Sequence, residues 1–161
     1  MRDNFEREIN YLRISITDRC NLHCTYCRPK DGVSLKGHDD ILRYEEIIRI
    51  INVAVGMGLI KVRITGGEPL IRRGFVDFIR SLKKISGLRD ISLTTNGILL
   101  ENYARDIFNA GIRRINISLD SLNKEKYARI TGGGDLDAVL RGINEADKIG
   151  FSPVKINTVA I

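Results

Sequence analysis

Apolar and polar residues alternate in short stretches along the chain, and between those stretches apolar residues recur every three or four positions. Leu12-Arg-Ile14-Ser-Ile16-Thr17 has the period of a strand, Lys61–Thr65 is a short β-branched strand, and Asp90–Thr95 and Arg114–Leu119 read as a third and a fourth. Pro153–Ile161 reads as a fifth. A helix is predicted from about Tyr44 to Met57, with Ile47, Ile48, Ile50, Ile51, Ala54 and Val55 on its apolar face and Gly58 placed to end it. Phe75, Val76, Phe78, Ile79 and Leu82 recur at helical spacing. Further helices are predicted over Leu99–Ala110, stopped by Gly111, over Lys124–Ile130, and over Leu136–Ile149, capped by Gly150. Asn96-Gly97 is also a two-residue hairpin signal, but the helical period after it favours a strand-to-helix loop.

Strands separated by helices pair in parallel through crossovers, which predicts an α/β fold. In such sheets the functional residues gather in loops at the C-terminal ends of the strands. Here the cysteines follow the first strand, Gly66-Gly67-Glu68-Pro69 the second, and Thr94 to Gly97 close the third. Ser118 and Asp120 close the fourth. Four placements on one rim support a single active site.

Length and composition narrow the class. The 161 residues suffice for one core, and 43% hydrophobic with 29% charged residues is a globular composition. The longest apolar run, Ile50–Ile60, is broken by Asn52, Gly56 and Gly58, so no membrane span is expected. The start, MRDNFEREIN, has no apolar stretch of a secretory signal, and a cytoplasmic location is the expectation. The net charge of +6 is compatible with a solvated surface, a nucleic acid or an anionic small molecule. Lys and Arg are dispersed and Trp is absent, which weakens the nucleic-acid reading.

The three cysteines, Cys20, Cys24 and Cys27, fall within one short segment and need a joint explanation. An odd count without a secretion signal argues against a disulfide framework. They are then incidental thiols, three ligands of a zinc ion completed by His23 or His38, or the ligands of an iron–sulfur cluster. Three thiolates on a four-iron cluster leave one iron open for a substrate or cofactor.

The glycines of Gly66-Gly67-Glu68-Pro69 form a tight turn or let the backbone approach a ligand, and Glu68 is placed to accept a hydrogen bond from a ligand ammonium. Arg13, Arg63 and Lys155 lie on the first, second and fifth strands. Inward cations need an anion to pair with, and the planar fork of Arg suits phosphate oxygens.

Cys20-Asn-Leu-His-Cys24-Thr-Tyr-Cys27 resembles the signature of the radical S-adenosylmethionine (SAM) superfamily, with Tyr26 as its aromatic residue. The longer run Leu12–Cys27 is similar to the GTP 3′,8-cyclase family of molybdenum-cofactor biosynthesis. So are Lys61–Leu70, Leu93–Gly97, Arg113–Asp120 and Val154–Asn157, in the family's order. The resemblance implies a radical SAM lyase on a (β/α)6 barrel. Cys20, Cys24 and Cys27 would hold a [4Fe-4S] cluster whose free iron chelates SAM. Reductive cleavage of SAM would start the radical cyclisation of GTP. Gly66, Gly67 and Glu68 would meet the methionine amino group, Ser118 its carboxylate and Asp120 the ribose; Tyr26, Gly67 and Ser118 match SAM-contacting positions. Arg13, Arg63, Thr94 and Lys155 match positions that contact GTP. An electron donor such as a flavodoxin or ferredoxin is implied as partner. Another radical SAM maturase or activase acting on a peptide, or a non-catalytic iron–sulfur or zinc module, stands as the alternative.

The family's C-terminal part carries a second cysteine triad, and this sequence has no fourth cysteine. Residues 1–161 are therefore expected to form one radical SAM core domain, a partial barrel ending after about five parallel strands, without the second cluster. The last strand would leave an open sheet edge, which predicts low stability alone or pairing with another chain, a homodimer included.

Overall fold

The computed structural model describes residues 2–27 and 34–160. Five parallel strands form one sheet in the order of the sequence: β1 (Tyr11–Ser15), β2 (Lys61–Thr65), β3 (Asp90–Thr95), β4 (Arg114–Ser118) and β5 (Val154–Asn157). A sequential order is that of a barrel wall; in a doubly wound sheet the order reverses. The helices between them are α1 (Tyr44–Gly56), α2 (Phe75–Lys83), α3 (Leu100–Ala110), α4 (Lys124–Thr131) and α5 (Leu136–Ile149).

The alternation along each strand sorts the two faces of the sheet. Val62 and Ile64 of β2, Leu93 of β3, and Ile115 and Ile117 of β4 are buried in one core with Ile47 and Ile51 of α1, Phe78, Ile79 and Leu82 of α2, Ile107 of α3 and Val139 of α5. The opposite face carries Arg13, Arg63, Ser92, Thr94, Asn116 and Lys155, at alternate positions to those apolar residues. Registers Arg13↔Arg63, Arg63↔Ser92, Thr94↔Asn116 and Asn116↔Lys155 bring these polar residues into neighbouring rows.

Local chemistry sets the helix ends. The Glu46 carboxylate reaches back to the Arg43 N–H at 2.7 Å ahead of α1. Asn123 and Asp135 cap α4 and α5 by accepting from the N–H groups of Lys126 and Asp137, each at 2.9 Å. Gly150 ends α5 at φ 98°, a conformation that favours glycine.

Most predicted elements match within a residue or two. The fifth strand is shorter than expected, four residues, because only Val154–Asn157 finds partners on β4. Ile161 lies outside the described residues. Ile50 does not join the apolar face of α1: it is 45% exposed, because three residues from Ile47 on a 3.6-residue turn it has rotated off the stripe that Ile47 and Ile51 define. Among the described residues no helix is long and apolar enough to cross a membrane.

Candidate functional site

The cysteine loop leaves the C-terminal end of β1 and is clamped from two sides by backbone hydrogen bonds. On one side the Gly67 N–H donates to the Thr17 carbonyl at 2.6 Å and the Glu68 N–H to the Arg19 carbonyl at 2.8 Å. A Cβ added at Gly66 would lie 2.7 Å from the Thr17 oxygen, and one added at Gly67 2.5 Å from the Arg19 carbonyl carbon. The two glycines thus serve first to let the loop after β2 pack on the root of the cysteine loop.

On the other side the last carbonyls of α4 accept the loop. The His23 N–H donates to the Thr131 carbonyl at 3.0 Å and the Thr25 N–H to that of Ile130 at 2.9 Å. These carbonyls belong to the helix end, where no intrahelical partner exists. A Cβ at Gly132 would sit 2.9 Å from the His23 oxygen, and at Gly134 3.0 Å from Leu22 Cδ2. This buttress escapes a reading of side-chain chemistry; its signal in the sequence is the run Gly132–Gly134.

Cys20, Cys24 and Cys27 line one cavity of about 310 Å³ with Gly66 and Gly67. Burial pushes the Cys24 thiol up from its ordinary value, and the neighbouring Cys20 and Cys27 sulfurs push it further. The Cys20 sulfur accepts from the Leu22 N–H at 3.4 Å, and Asn96 Nδ2 lies 3.8 Å from it. Tyr127, 1% exposed, has a hydroxyl without a hydrogen-bond partner among the described residues; its pKa is raised to about 12, mainly by burial and then by the charge of Cys24.

The donor set suits an iron–sulfur cluster better than a single ion. Among the described residues no three His, Cys, Asp or Glu side chains converge on one metal ion. His23 is exposed and belongs to no such group. The His38 side chain lies outside the described set. Three soft sulfur donors spread around one cavity offer one ligand to each of three irons.

Glu68 departs from the sequence expectation. Its side chain is 0% exposed, and its carboxylate accepts from the Leu70 N–H at 3.0 Å, the Thr95 hydroxyl at 2.9 Å and the Asn96 N–H at 2.7 Å. Burial raises its pKa while these donors pull it back. A carboxylate so enclosed does not present itself to a ligand ammonium. It ties the loop after β2 to the end of β3, and of that loop Gly66 and Gly67 line the cysteine cavity.

Asp120, just beyond β4, accepts the Tyr26 hydroxyl on Oδ2 at 2.7 Å and the Val159 N–H on Oδ1 at 2.9 Å. A ribose contact there would be added to an existing clasp. Ser118, half-buried, pairs in register with Asn157 at the C-terminal ends of β4 and β5.

The polar face of the sheet holds the cations. Arg13 and Lys155 are exposed and Arg63 is half-buried; none of the three forms an ion pair among the described residues. Arg63 lies over the Tyr11 ring, 5.6 Å from its centroid. In the orientation of the Asn116 carboxamide that satisfies both groups, its oxygen accepts from Arg63 Nε at 3.3 Å and Nη1 at 3.2 Å. Arg114 is a cation on this face that sequence reading passes over, and it is neutralised by Asp90. The hydroxyl of Thr94 is buried without a hydrogen-bond partner among the described residues.

Residues 14–161 match the Radical SAM superfamily. The chain is 56% identical over its whole length to a GTP 3′,8-cyclase of Alkaliphilus oremlandii, covering 50% of that protein. It is 54% identical to one of Thermodesulfovibrio yellowstonii, again over its whole length and 50% of the relative. The chain thus spans about half the length of the curated relatives it matches. Among solved structures, HydG, a maturase of the [FeFe]-hydrogenase, superposes with a TM-score of 0.73 at 19% identity, over 92% of this chain and 34% of HydG. Streptococcus suis SuiB bound to S-adenosylmethionine gives 0.73 at 19% identity, over 92% and 32%.

Proposed function

Because the chain belongs to the radical SAM superfamily, we propose that it carries the SAM-cleaving and triphosphate-binding portion of a GTP 3′,8-cyclase acting in molybdenum-cofactor biosynthesis. The observation that carries this reading is the juxtaposition of two features. One is the three-cysteine cavity at the rim of the sheet; the other is the set of Arg13, Arg63 and Lys155 on the polar face, which form no ion pair among the described residues. Ser15 lines the cysteine cavity, and Arg13 stands two residues before it on the same side of β1.

Cys20, Cys24 and Cys27 hold a [4Fe-4S] cluster in this reading, with backbone groups of Gly66 and Gly67 and the side chains of Ser118 and Tyr26 around SAM. When bound, cluster and SAM supply the 5′-deoxyadenosyl radical that takes hydrogen from the ribose of GTP. The chain's own residues position and shield. Arg13, Arg63 and Lys155 meet triphosphate oxygens with charge-assisted hydrogen bonds, each contributing about 1.5–3 kcal/mol. Asn116 and the Tyr11 ring hold the Arg63 guanidinium in place before the substrate arrives. Thr94 offers its hydroxyl to the nucleotide. A low-potential flavodoxin or ferredoxin supplies the electron.

The test is anaerobic reconstitution of the intact protein, followed by incubation with SAM, GTP and a strong reductant. The expected products are 5′-deoxyadenosine and a cyclised nucleotide. Release of 5′-deoxyadenosine with no consumption of GTP would overturn the assignment of substrate. Retention of a full cluster by Cys24→Ala would overturn the assignment of ligands.

A further inference from the structure

Asn96 follows β3 directly, is 9% exposed, and has each polar group of its side chain engaged. Its Oδ1 accepts from the Ile98 N–H at 3.1 Å, an Asx turn that starts the path to α3. Its Nδ2 donates to Asn21 Oδ1 at 2.8 Å and lies 3.8 Å from Cys20 Sγ, within reach of a hydrogen bond to sulfur. Its backbone N–H donates to the buried Glu68 carboxylate at 2.7 Å. The amide is thereby fixed at both ends and pointed at one particular cysteine.

We propose that Asn96 is a positioning residue for electron uptake: its carboxamide N–H, held by Asn21, Ile98 and Glu68, donates to the Cys20 thiolate and makes the iron–sulfur cluster bound there easier to reduce. The proposal rests on the reading that the three cysteines hold such a cluster. One electron from a low-potential one-electron donor converts [4Fe-4S]²⁺ to [4Fe-4S]⁺, and no proton moves. The added negative charge spreads onto the ligating sulfurs, so an N–H aimed at one of them stabilises the reduced form more than the oxidised form. The Leu22 N–H, 3.4 Å from the same sulfur, acts in the same sense. Glu68 contributes indirectly, since its hydrogen bond to the Asn96 N–H fixes where the carboxamide begins.

A merely structural role, tying Asn21 to the end of β3, would leave the potential of the cluster where it is. The test is therefore an EPR-monitored redox titration of the anaerobically reconstituted intact protein and of two variants, with iron and sulfide counted first. Asn96→Ser keeps an acceptor for the Ile98 N–H but is too short to reach Cys20. Asn96→Asp keeps both the shape and the Asx turn and replaces the donor by an acceptor. Expected are full iron and sulfide in both variants and a lower potential. At the poise that half-reduces the wild type, the ratio of reduced to oxidised cluster falls about tenfold in Asn96→Ser, equivalent to ~59 mV for one electron. It falls further in Asn96→Asp. Full loading with unchanged potentials would overturn the proposal, and so would failure of both variants to load, which would make the role structural. A wild-type protein devoid of iron and sulfide would instead sink the cluster reading itself, so the two failures are told apart.

Discussion

The Tyr26 hydroxyl donates to Asp120 Oδ2 at 2.7 Å and thereby fastens the cysteine loop to the end of β4, 94 positions away in sequence. Asp120 takes the Val159 N–H on its other oxygen, so three separate segments meet at this carboxylate. Hydrogen bonds to charged groups contribute about 1.5–3 kcal/mol when sheltered. Tyr26 is 45% exposed, so the lower end of that range applies. Tyr26→Phe is expected to weaken cluster retention several-fold during dilution or chelator challenge, with little change in far-UV circular dichroism. Equal rates of iron loss in the two proteins would show that the clasp does not secure the loop.

Two glycine substitutions separate packing from conformational freedom. Gly67→Ala drives a methyl group into the Arg19 backbone. A loss of about 1–3 kcal/mol in urea denaturation is expected, together with poor cluster uptake. Gly56→Ala, at the end of α1, meets nothing within 4 Å and needs no left-handed backbone. It should be neutral or stabilise by up to ~1 kcal/mol. Equal tolerance at both positions would contradict the close approach of the two loops.

Arg63 and Arg114 point to the same face with opposite expectations. Arg63→Ala removes a cation that has no anionic partner among the described residues, and GTP affinity should fall about 10–100-fold while SAM binding is unchanged. Arg114→Ala breaks an ion pair with Asp90 that is partly exposed, so stability should drop by roughly 1 kcal/mol or less, with GTP binding nearly intact. Isothermal titration calorimetry on both variants decides the matter; a larger GTP defect in Arg114→Ala would reverse the assignment.

Tyr44 and Tyr127 give the alkaline limb of stability. Burial raises both phenols to about 12 from an ordinary value of 10. The folded chain then binds more protons than the unfolded chain between these values, so stability is full below pH 10 and falls as pH rises towards 12. Tyr127→Phe should flatten this limb. At neutral pH it should also stabilise the cluster-free protein by about 1 kcal/mol, because an unpartnered buried hydroxyl is removed. Thermal melts across the pH range check both points; a destabilised Tyr127→Phe at pH 7 would show that the hydroxyl has a partner.

The sheet was legible because its strands carry period-two alternation with β-branched residues, and β2, β3 and α5 begin and end where their patterns do. Glycine and Asn-Gly signals placed the loops, since left-handed backbone at Gly97, Gly111 and Gly150 leaves a mark on composition. The burial of Glu68 is not legible for a physical reason: a charged residue beside two glycines looks available, and nothing local shows that Thr95 and Asn96 enclose it. The buttress of α4 under the cysteine loop was invisible because it is made of backbone N–H and C=O groups, which every residue has. Arg114 was passed over because its partner Asp90 sits on the neighbouring strand, a relation fixed only by register.

The hydrogen bonds from His23 and Thr25 to the end of α4 also set a timetable. A ribosome adding ~5–20 residues per second delivers the cysteines roughly 5–20 s before the helix end and the glycine run that brace them, about 100 residues later. During that interval the thiols are present in the nascent chain but their seat is not. Cluster delivery that waits for Gly134 would find a finished cradle, whereas earlier delivery would meet a loose and oxidisable strand of sulfurs. In the proposed reading of these cysteines as cluster ligands, the order of synthesis therefore completes their cradle only at α4 and its glycine run, after all three thiols are made.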